Sequence, residues 1–182
     1  MRVLGAIIAG GKSSRMGQDK ALMLWRGKML IEHVAEKLGP QVDALVINAN
    51  DDRFDFPVPH LFLPDLLDIG TPLAGLHAVL TYAAENSFDA VLSAPCDTPL
   101  LPEDLRLRLK GEGAAIACSG GQAHFLTGLW PVATLPLLAG LHRVQDFATA
   151  TKARRVEWAV QDHDPFTNLN TPEDMAHLSE KP

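Results

Sequence analysis

The chain has 182 residues, a hydrophobic content of 47% and a net charge of −6, which predicts one globular domain with room for a sizeable core. Its acidic balance argues against general nucleic-acid binding, which normally uses a basic surface. No apolar run in the sequence reaches the length of about 20 residues that spans a bilayer. The amino terminus also lacks the layout of a signal peptide. We therefore expect a cytoplasmic protein that binds neither nucleic acid nor membrane.

Short apolar segments alternate with helical patterns along the chain. In chain order, the pattern predicts a strand at 3–8, a helix at 30–38, strands at 44–47 and 60–63, a helix at 73–84, a strand at 90–93, a helix at 102–109, strands at 114–118 and 125–130, a helix at 144–152, an edge strand at 157–160 and a helix at 172–178. Such alternation is typical of βαβ units. We therefore predict a three-layer α/β fold with a mostly parallel central sheet and one or two antiparallel strands in the second half.

The loop after the first strand, at about residues 9–20, has the composition of a phosphate site. Gly10 and Gly11 end the apolar run, and three cations follow: Lys12, Arg15 and Lys20. A glycine turn lets backbone N–H groups approach a phosphate, which the cations neutralise. A P-loop is excluded because Ala6 stands where its first glycine belongs. The sequence thus favours a long phosphate loop, and the alternative is a surface loop with incidental charge.

Polar residues follow several of the predicted strands. Because ligands of such sheets bind at the carboxyl ends of the strands, we expect the loop after Ile8 and residues 48–50, 64–65 and 95–97 to lie together. Asp97 is held in Pro95-Cys96-Asp97-Thr98-Pro99, which presents a hard oxygen ligand of the kind Mg²⁺ prefers. The alternative is that Asp97 caps the helix near residue 102.

Seven short motifs are distributed along the chain: Ile-Ala-Gly-Gly at 8–11, Arg-Met-Gly at 15–17, Asp-Lys at 19–20, Asn-Ala-Asn at 48–50, Pro-Leu-Ala-Gly at 72–75, Pro-Cys-Asp-Thr-Pro at 95–99 and Asn-Leu-Asn-Thr-Pro at 168–172. In these motifs the chain resembles the molybdenum cofactor guanylyltransferases, enzymes of the nucleotide-diphospho-sugar transferase fold. The resemblance spans nearly the whole chain. It implies one Rossmann-like nucleotidyltransferase domain, 1–182, in which residues 1 to about 100 bind the nucleotide and about 101–182 bind the acceptor.

The resemblance also implies a set of site residues. The nucleotide would be bound by Ile8, Ala9, Gly10, Gly11, Lys20, Asn48, Asp65 and Asp97. Catalysis would depend on Lys20, Arg15 and Asp97, with Mg²⁺ bound at Asp97. The acceptor would contact Asn168, Asn170 and His124. Asp65 or the carbonyls of residues 70–73 would read guanine, and a helix cap is the alternative for Asp65. A turn and an N-cap are the alternatives for Asn168 and Asn170.

The implied reaction transfers GMP from GTP to the terminal phosphate of molybdopterin, giving the guanine dinucleotide cofactor and pyrophosphate. A phosphate monoester is largely dianionic at neutral pH, so no general base is needed. The seven histidines are scattered along the sequence, and we predict that none lies in a Ser/His or Cys/His constellation. We expect His33, His77 and His177, on predicted helices, to be structural, and His124 is the one histidine that is a candidate ligand of the acceptor phosphate.

Other activities are compatible with the same motifs. One is a cytidylyltransferase or sugar-phosphate nucleotidyltransferase of the same fold, and another is a non-catalytic nucleotide-binding regulator, against which the presence of both Lys20 and Asp97 argues. The expected partners are GTP and molybdopterin. An oxidation-sensitive product also favours direct transfer to a molybdoenzyme chaperone or another cofactor-biosynthesis protein. Cys96 and Cys118 lack metal-ligand spacing, so we expect reduced thiols.

Overall fold

The computed structural model describes residues 1–9, 20–50 and 61–179 of the chain. Within these ranges nine strands are present: β1 (Val3–Ile8), β2 (Leu24–Trp25), β3 (Lys28–Met29), β4 (Ala44–Asn48), β5 (Leu61–Leu63), β6 (Ala90–Pro95), β7 (Ala115–Ser119), β8 (Gln122–Pro131) and β9 (Arg154–Trp158). The α-helices of the described residues are α1 (Leu30–Leu38), α2 (Pro72–Glu85), α3 (Leu105–Leu109), α4 (Val144–Ala150) and α5 (Pro172–Ser179).

Seven of the strands form one sheet in the order β5-β4-β1-β6-β8-β7-β9. All neighbouring pairs are parallel except those of β8, which runs antiparallel to β6 and to β7. The reversal follows from a two-residue turn at Gly120 and Gly121, whose φ angles of 53° and 79° favour glycine. The predicted mostly parallel sheet with an antiparallel strand in its second half is therefore confirmed.

Helices cover both faces of this sheet, as β1 illustrates. All six residues of β1 are buried, because the strand lies inside the sheet and successive side chains point to opposite faces. Ile7 belongs to the same hydrophobic cluster as Ile31 of α1. The next residue, Ile8, belongs to a second cluster with Leu76 of α2. The three-layer prediction is thus confirmed.

The strand and helix bounds differ from the predicted ones mainly at four places, one of which is the start of β8 at Gln122 rather than 125. The hairpin of β2 and β3 was not predicted, because each strand has only two residues around the positive-φ pair Arg26 and Gly27. Helix α3 begins at Leu105 rather than 102. The edge strand β9 lies at Arg154–Trp158 rather than 157–160. The prediction missed its start because Arg154 and Arg155 are charged, as residues of edge strands often are, and do not continue an apolar pattern.

None of the described helices is both long and apolar enough to cross a lipid bilayer.

Candidate functional site

The carboxyl ends of the central parallel strands are joined by hydrogen bonds that continue past the strands. The Ala9 N–H donates to the carbonyl of Asn48 at 2.9 Å, and the Cys96 N–H donates to the carbonyl of Ile8 at 3.2 Å. These bonds hold the starts of the loops after β1, β4 and β6 side by side. The prediction that these segments lie together is confirmed for the described residues, and we call this region the carboxyl edge.

A carboxylate held by two amides lies at this edge. Asn48 is fully buried, and its Nδ2 donates to Asp65 Oδ1 at 2.9 Å and to the Leu63 carbonyl at 3.0 Å. Asn50 Nδ2 donates to the other carboxylate oxygen at 2.8 Å, while the Asp65 N–H donates to Asn50 Oδ1 at 2.7 Å. Asp65 is not a helix cap, because α2 begins after its N-cap Thr71. Its carboxylate is fixed in one orientation.

Helix α2 contributes a glycine that leaves room for this arrangement. A Cβ added at Gly75 would lie 2.0 Å from Asn48 Oδ1 and 2.7 Å from Asn48 Cγ. A shift of Asn48 away from such a Cβ would break hydrogen bonds, because both of its amide hydrogens are already donated. Only glycine at residue 75 therefore permits the observed position of Asn48.

Asp97 follows β6 at the same edge and is 8% exposed. It does not cap α3, whose N-cap is Asp104. Among the described residues, no group of three or more His, Cys, Asp or Glu side chains is placed to hold a metal ion. One carboxylate is nevertheless the donor that Mg²⁺ takes from a protein when phosphate oxygens and waters fill its other positions. The donor set thus fits a divalent ion that binds together with a nucleotide.

Residues 168–170, which we call the late segment, pack directly on the loop after β6 that contains Asp97, which we call the Asp97 loop. The Leu169 N–H donates to the carbonyl of Asp97 at 2.8 Å. Thr98 Oγ1 donates to Asn168 Oδ1 at 3.1 Å. Asn168 is exposed, so its amide is held at the carboxyl edge and remains accessible from solvent.

Helix α5 begins just after this segment with a reciprocal cap. Asp174 Oδ2 accepts the N–H of Thr171 at 2.9 Å, and Thr171 Oγ1 accepts the N–H of Asp174 at 3.1 Å. The Asn170 N–H also donates to Asp174 Oδ2 at 2.9 Å. The N-cap of α5 is therefore Thr171, and Asn170 precedes it.

A serine, a histidine and an aspartate meet on the β7–β8 side of the edge. Ser119 Oγ lies 2.6 Å from His124 Nε2 and 2.8 and 2.7 Å from the two carboxylate oxygens of Asp164. The prediction that no histidine lies in a Ser/His constellation was therefore wrong. The order differs from that of a hydrolase triad, since the serine rather than the histidine is central. The serine hydroxyl donates to a carboxylate rather than to the histidine, so the histidine does not accept the serine proton as it does in such a triad.

The contact between Ser119 and His124 could have been predicted from the turn that separates them, although the scattered positions of the histidines did not indicate it. A two-residue Gly-Gly turn pairs Ser119 with Gln122, and His124 then lies on the same face as a diagonal neighbour of Ser119. Burial lowers the pKa of His124, although the carboxylates of Asp164 and Glu157 act in the opposite direction. The ring is therefore neutral at physiological pH.

Phe166 links the cluster to the late segment. Its ring packs against His124 with centroids 4.8 Å apart and against Trp158 at 5.3 Å. The Phe166 N–H donates to Asp164 Oδ1 at 2.9 Å. Residues 164–169 thus run without interruption from the His124 ring to the Asp97 loop.

Several predicted site residues lie outside the described part of the chain. Gly10, Gly11 and Arg15 lie outside it, as does the side chain of Lys20, whose backbone begins a short 3₁₀ helix at Lys20–Leu22. His33 bonds the Trp25 carbonyl at 2.8 Å, which supports the predicted structural role.

Comparison with known proteins gives three findings. Residues 5–160 match the model of the MobA-like NTP transferase domain. The chain is 46% identical to a molybdenum cofactor guanylyltransferase of Cereibacter sphaeroides (strain ATCC 17029 / ATH 2.4.9), over 97% of this chain and 95% of that protein. Two solved structures share the fold. Molybdopterin-guanine dinucleotide biosynthesis protein A from Archaeoglobus fulgidus has a TM-score of 0.72 at 23% identity, covering 97% of each chain. Rv0371C of Mycobacterium tuberculosis, in complex with manganese, has a TM-score of 0.67 at 14% identity, covering 98% of each.

Proposed function

Because this chain belongs to the molybdenum cofactor guanylyltransferase family, we propose that it transfers GMP from GTP to the terminal phosphate of molybdopterin and releases pyrophosphate. The observation that carries the proposal is the Asp65 carboxylate, fixed at the carboxyl edge by Asn48 and Asn50. Within one domain, residues 1 to about 100 bind GTP and about 101–182 bind the acceptor.

Base selection follows from the chemistry of a fixed carboxylate. An ionised carboxylate only accepts hydrogen bonds, and each oxygen has a second lone pair available beside its amide partner. Guanine presents two adjacent donors, the N1–H and the exocyclic amine, whereas cytosine presents an amine next to an acceptor nitrogen. Asp65 in its observed orientation is thus suited to guanine, with Asn48 and Asn50 as positioning residues.

Charge neutralisation is the main requirement of the chemical step. The acceptor phosphate is largely dianionic and needs no general base, but two unit charges 4 Å apart still interact by about 4 kcal/mol at an effective dielectric of 20. We assign Asp97 to hold Mg²⁺ and Lys20 and Arg15 to the phosphates of GTP. The bound ion would neutralise phosphate charge and stabilise the departing pyrophosphate.

We propose that the late segment contacts the acceptor. Because Asn168 Oδ1 accepts the hydroxyl of Thr98, its amide hydrogens are available as donors beside the Asp97 loop. Asn170 follows two residues later and is also exposed. We therefore assign both asparagines, together with His124, to molybdopterin.

The cellular setting is part of the same proposal. Cys96 and Cys118 form no disulfide, which agrees with a reducing cytoplasm. We propose that the oxidation-sensitive product passes directly to a molybdoenzyme chaperone or another cofactor-biosynthesis protein. An anaerobic pull-down with the loaded enzyme would recover such a partner, and recovery of none would contradict the handover.

Titration calorimetry with GTP, CTP, ATP and UTP, each with and without Mg²⁺, tests the assignment of the nucleotide site. GTP is expected to bind selectively and more tightly with Mg²⁺. The Asp65→Asn variant, which keeps the shape but replaces an acceptor by a donor, is expected to weaken GTP binding about tenfold to a hundredfold. Preference for CTP would instead identify a cytidylyltransferase.

A further inference from the structure

The hydrogen bonds of Ser119 determine which nitrogen of His124 carries a proton. The hydroxyl has one hydrogen, and the ionised carboxylate of Asp164 can only accept. Both carboxylate oxygens lie within 2.8 Å of Ser119 Oγ, so the hydroxyl hydrogen is donated to Asp164. Ser119 Oγ must then accept at its contact with His124 Nε2, 2.6 Å away. The proton of the neutral ring is therefore on Nε2.

The other ring nitrogen of His124 is left as an acceptor. In a neutral imidazole with the proton on Nε2, Nδ1 carries a lone pair. Among the described residues, Ser119 is the hydrogen-bond partner of this ring, and Nδ1 is not one of the buried atoms that lack a partner. Nδ1 of the half-buried His124 is therefore not fully buried and retains access to solvent.

A ring nitrogen that can only accept a hydrogen bond requires a hydrogen-bond donor on its ligand. A phosphate oxygen would meet a lone pair with no hydrogen between them, so the structure gives His124 a role other than the phosphate contact expected from the sequence. An N–H group is the complementary partner. The ring stands against Phe166, in the segment that continues to Asn168 and to the Asp97 loop.

We propose that His124 Nδ1 accepts a hydrogen bond from a ring N–H or the exocyclic amine of the pterin of the acceptor, with Ser119 and Asp164 as positioning residues that hold the required tautomer. The inference rests on the proposed function, because it takes molybdopterin as the acceptor. It makes His124 a specificity determinant for the heterocycle and leaves the phosphate to other residues.

Two substitutions of His124 separate its two nitrogens. An asparagine amide reaches the position of Nδ1 and keeps an oxygen acceptor there, whereas a glutamine amide reaches the position of Nε2 and keeps only the contact with Ser119. His124→Gln is expected to raise the KM for molybdopterin about tenfold, the effect of one hydrogen bond, without changing kcat or the KM for GTP. His124→Asn is expected to stay within about threefold of the wild type.

The tautomer is measured separately by ¹⁵N NMR of the histidine rings in the unliganded protein. The expected spectrum at neutral pH shows His124 protonated at Nε2 alone, and Ser119→Ala and Asp164→Asn are expected to change that pattern. Protonation at Nδ1 in the wild type would overturn the inference, whatever the enzyme transfers.

The kinetic comparison distinguishes failure of the inference from failure of the proposed function. If the wild type transfers GMP to molybdopterin and His124→Gln has an unchanged KM, the inference alone is overturned. Equal losses in the Asn and Gln variants would also overturn it, since they would indicate a structural role. If the wild type transfers no GMP to molybdopterin, the proposed function fails and the inference fails with it.

Discussion

Gly75 and Asn48 are in such close contact that a methyl group at residue 75 would lie 2.0 Å from Asn48 Oδ1. The same Asn48 donates to the Asp65 carboxylate at 2.9 Å. A residue of α2 thus restricts the position of the asparagine that holds the group proposed to read guanine.

Substitution Gly75→Ala tests this relationship. Alanine is normally favoured over glycine inside a helix, so any loss reports the clash with Asn48. We expect destabilisation of about 1–3 kcal/mol from overpacking and GTP affinity reduced about tenfold or more as Asp65 shifts. Calorimetry and urea unfolding measure the two effects. Gly39→Ala is the matched control, because nothing lies within 4 Å of a Cβ added there, and a normal GTP affinity in Gly75→Ala would refute the coupling.

Substitution Asp97→Asn tests the metal assignment. The amide keeps the shape but removes the charge that would hold Mg²⁺, so turnover is expected to fall about a hundredfold or more, or about 2.7 kcal/mol of transition-state stabilisation. Lys20→Ala is expected to lose a similar amount. Steady-state transfer of GMP, at saturating substrates and with melting curves as the folding control, provides the measurement. Wild-type turnover in a folded Asp97→Asn protein would remove Asp97 from the mechanism.

Substitution Asn168→Ala tests the division between nucleotide and acceptor. The Asn168 amide is bonded to Thr98 and exposed to solvent, so we expect the KM for molybdopterin to rise about tenfold while GTP binding stays normal. Thr171→Ala is a useful comparison, because loss of the N-cap of α5 should cost about 1 kcal/mol of stability. Weakened GTP binding in Asn168→Ala would place Asn168 on the nucleotide side instead.

Stability is expected to depend on pH through His124. Burial lowers the pKa of this histidine in the folded protein, against the opposing effect of Asp164 and Glu157. Between that lowered pKa and the unfolded value of about 6.5, the unfolded chain binds more protons, so stability is lost as pH falls through this window and the loss ends below the folded pKa. Urea unfolding from about pH 8 to pH 5 should show a smaller loss in His124→Asn than in the wild type. The same dependence of stability on pH in both proteins would show that His124 does not cause the loss.

The fold was largely predictable because its strongest signals are local. The apolar run of β1 and the periodicity of α1 gave both elements their observed bounds. Strand β9 was misplaced because Arg154 and Arg155 at the sheet edge carry no apolar signal. The two-residue strands around Arg26 and Gly27 are too short for any period to register.

The site was predictable only in part, because strand topology sets some of its contacts whereas others form only when distant segments pack together. Asn48 ends β4 and Asp65 follows β5, and because these strands are parallel neighbours, topology alone brings both residues to one edge. The contact of Ser119 with Asp164 joins residues 45 positions apart, and Asp164 lies in the irregular segment after β9, whose path no pattern specifies. Gly75 looked like an ordinary helix residue, since its close approach to Asn48 exists only after α2 packs on the sheet.

The most direct test of the account is an anaerobic transfer assay with the purified protein, molybdopterin, Mg²⁺ and equal concentrations of GTP and CTP, with the products identified by mass spectrometry. We expect molybdopterin guanine dinucleotide together with pyrophosphate from the wild type, and loss of this dinucleotide in the Asp97→Asn variant. Formation of the cytosine dinucleotide, or of no dinucleotide by a folded protein that binds GTP, would contradict it.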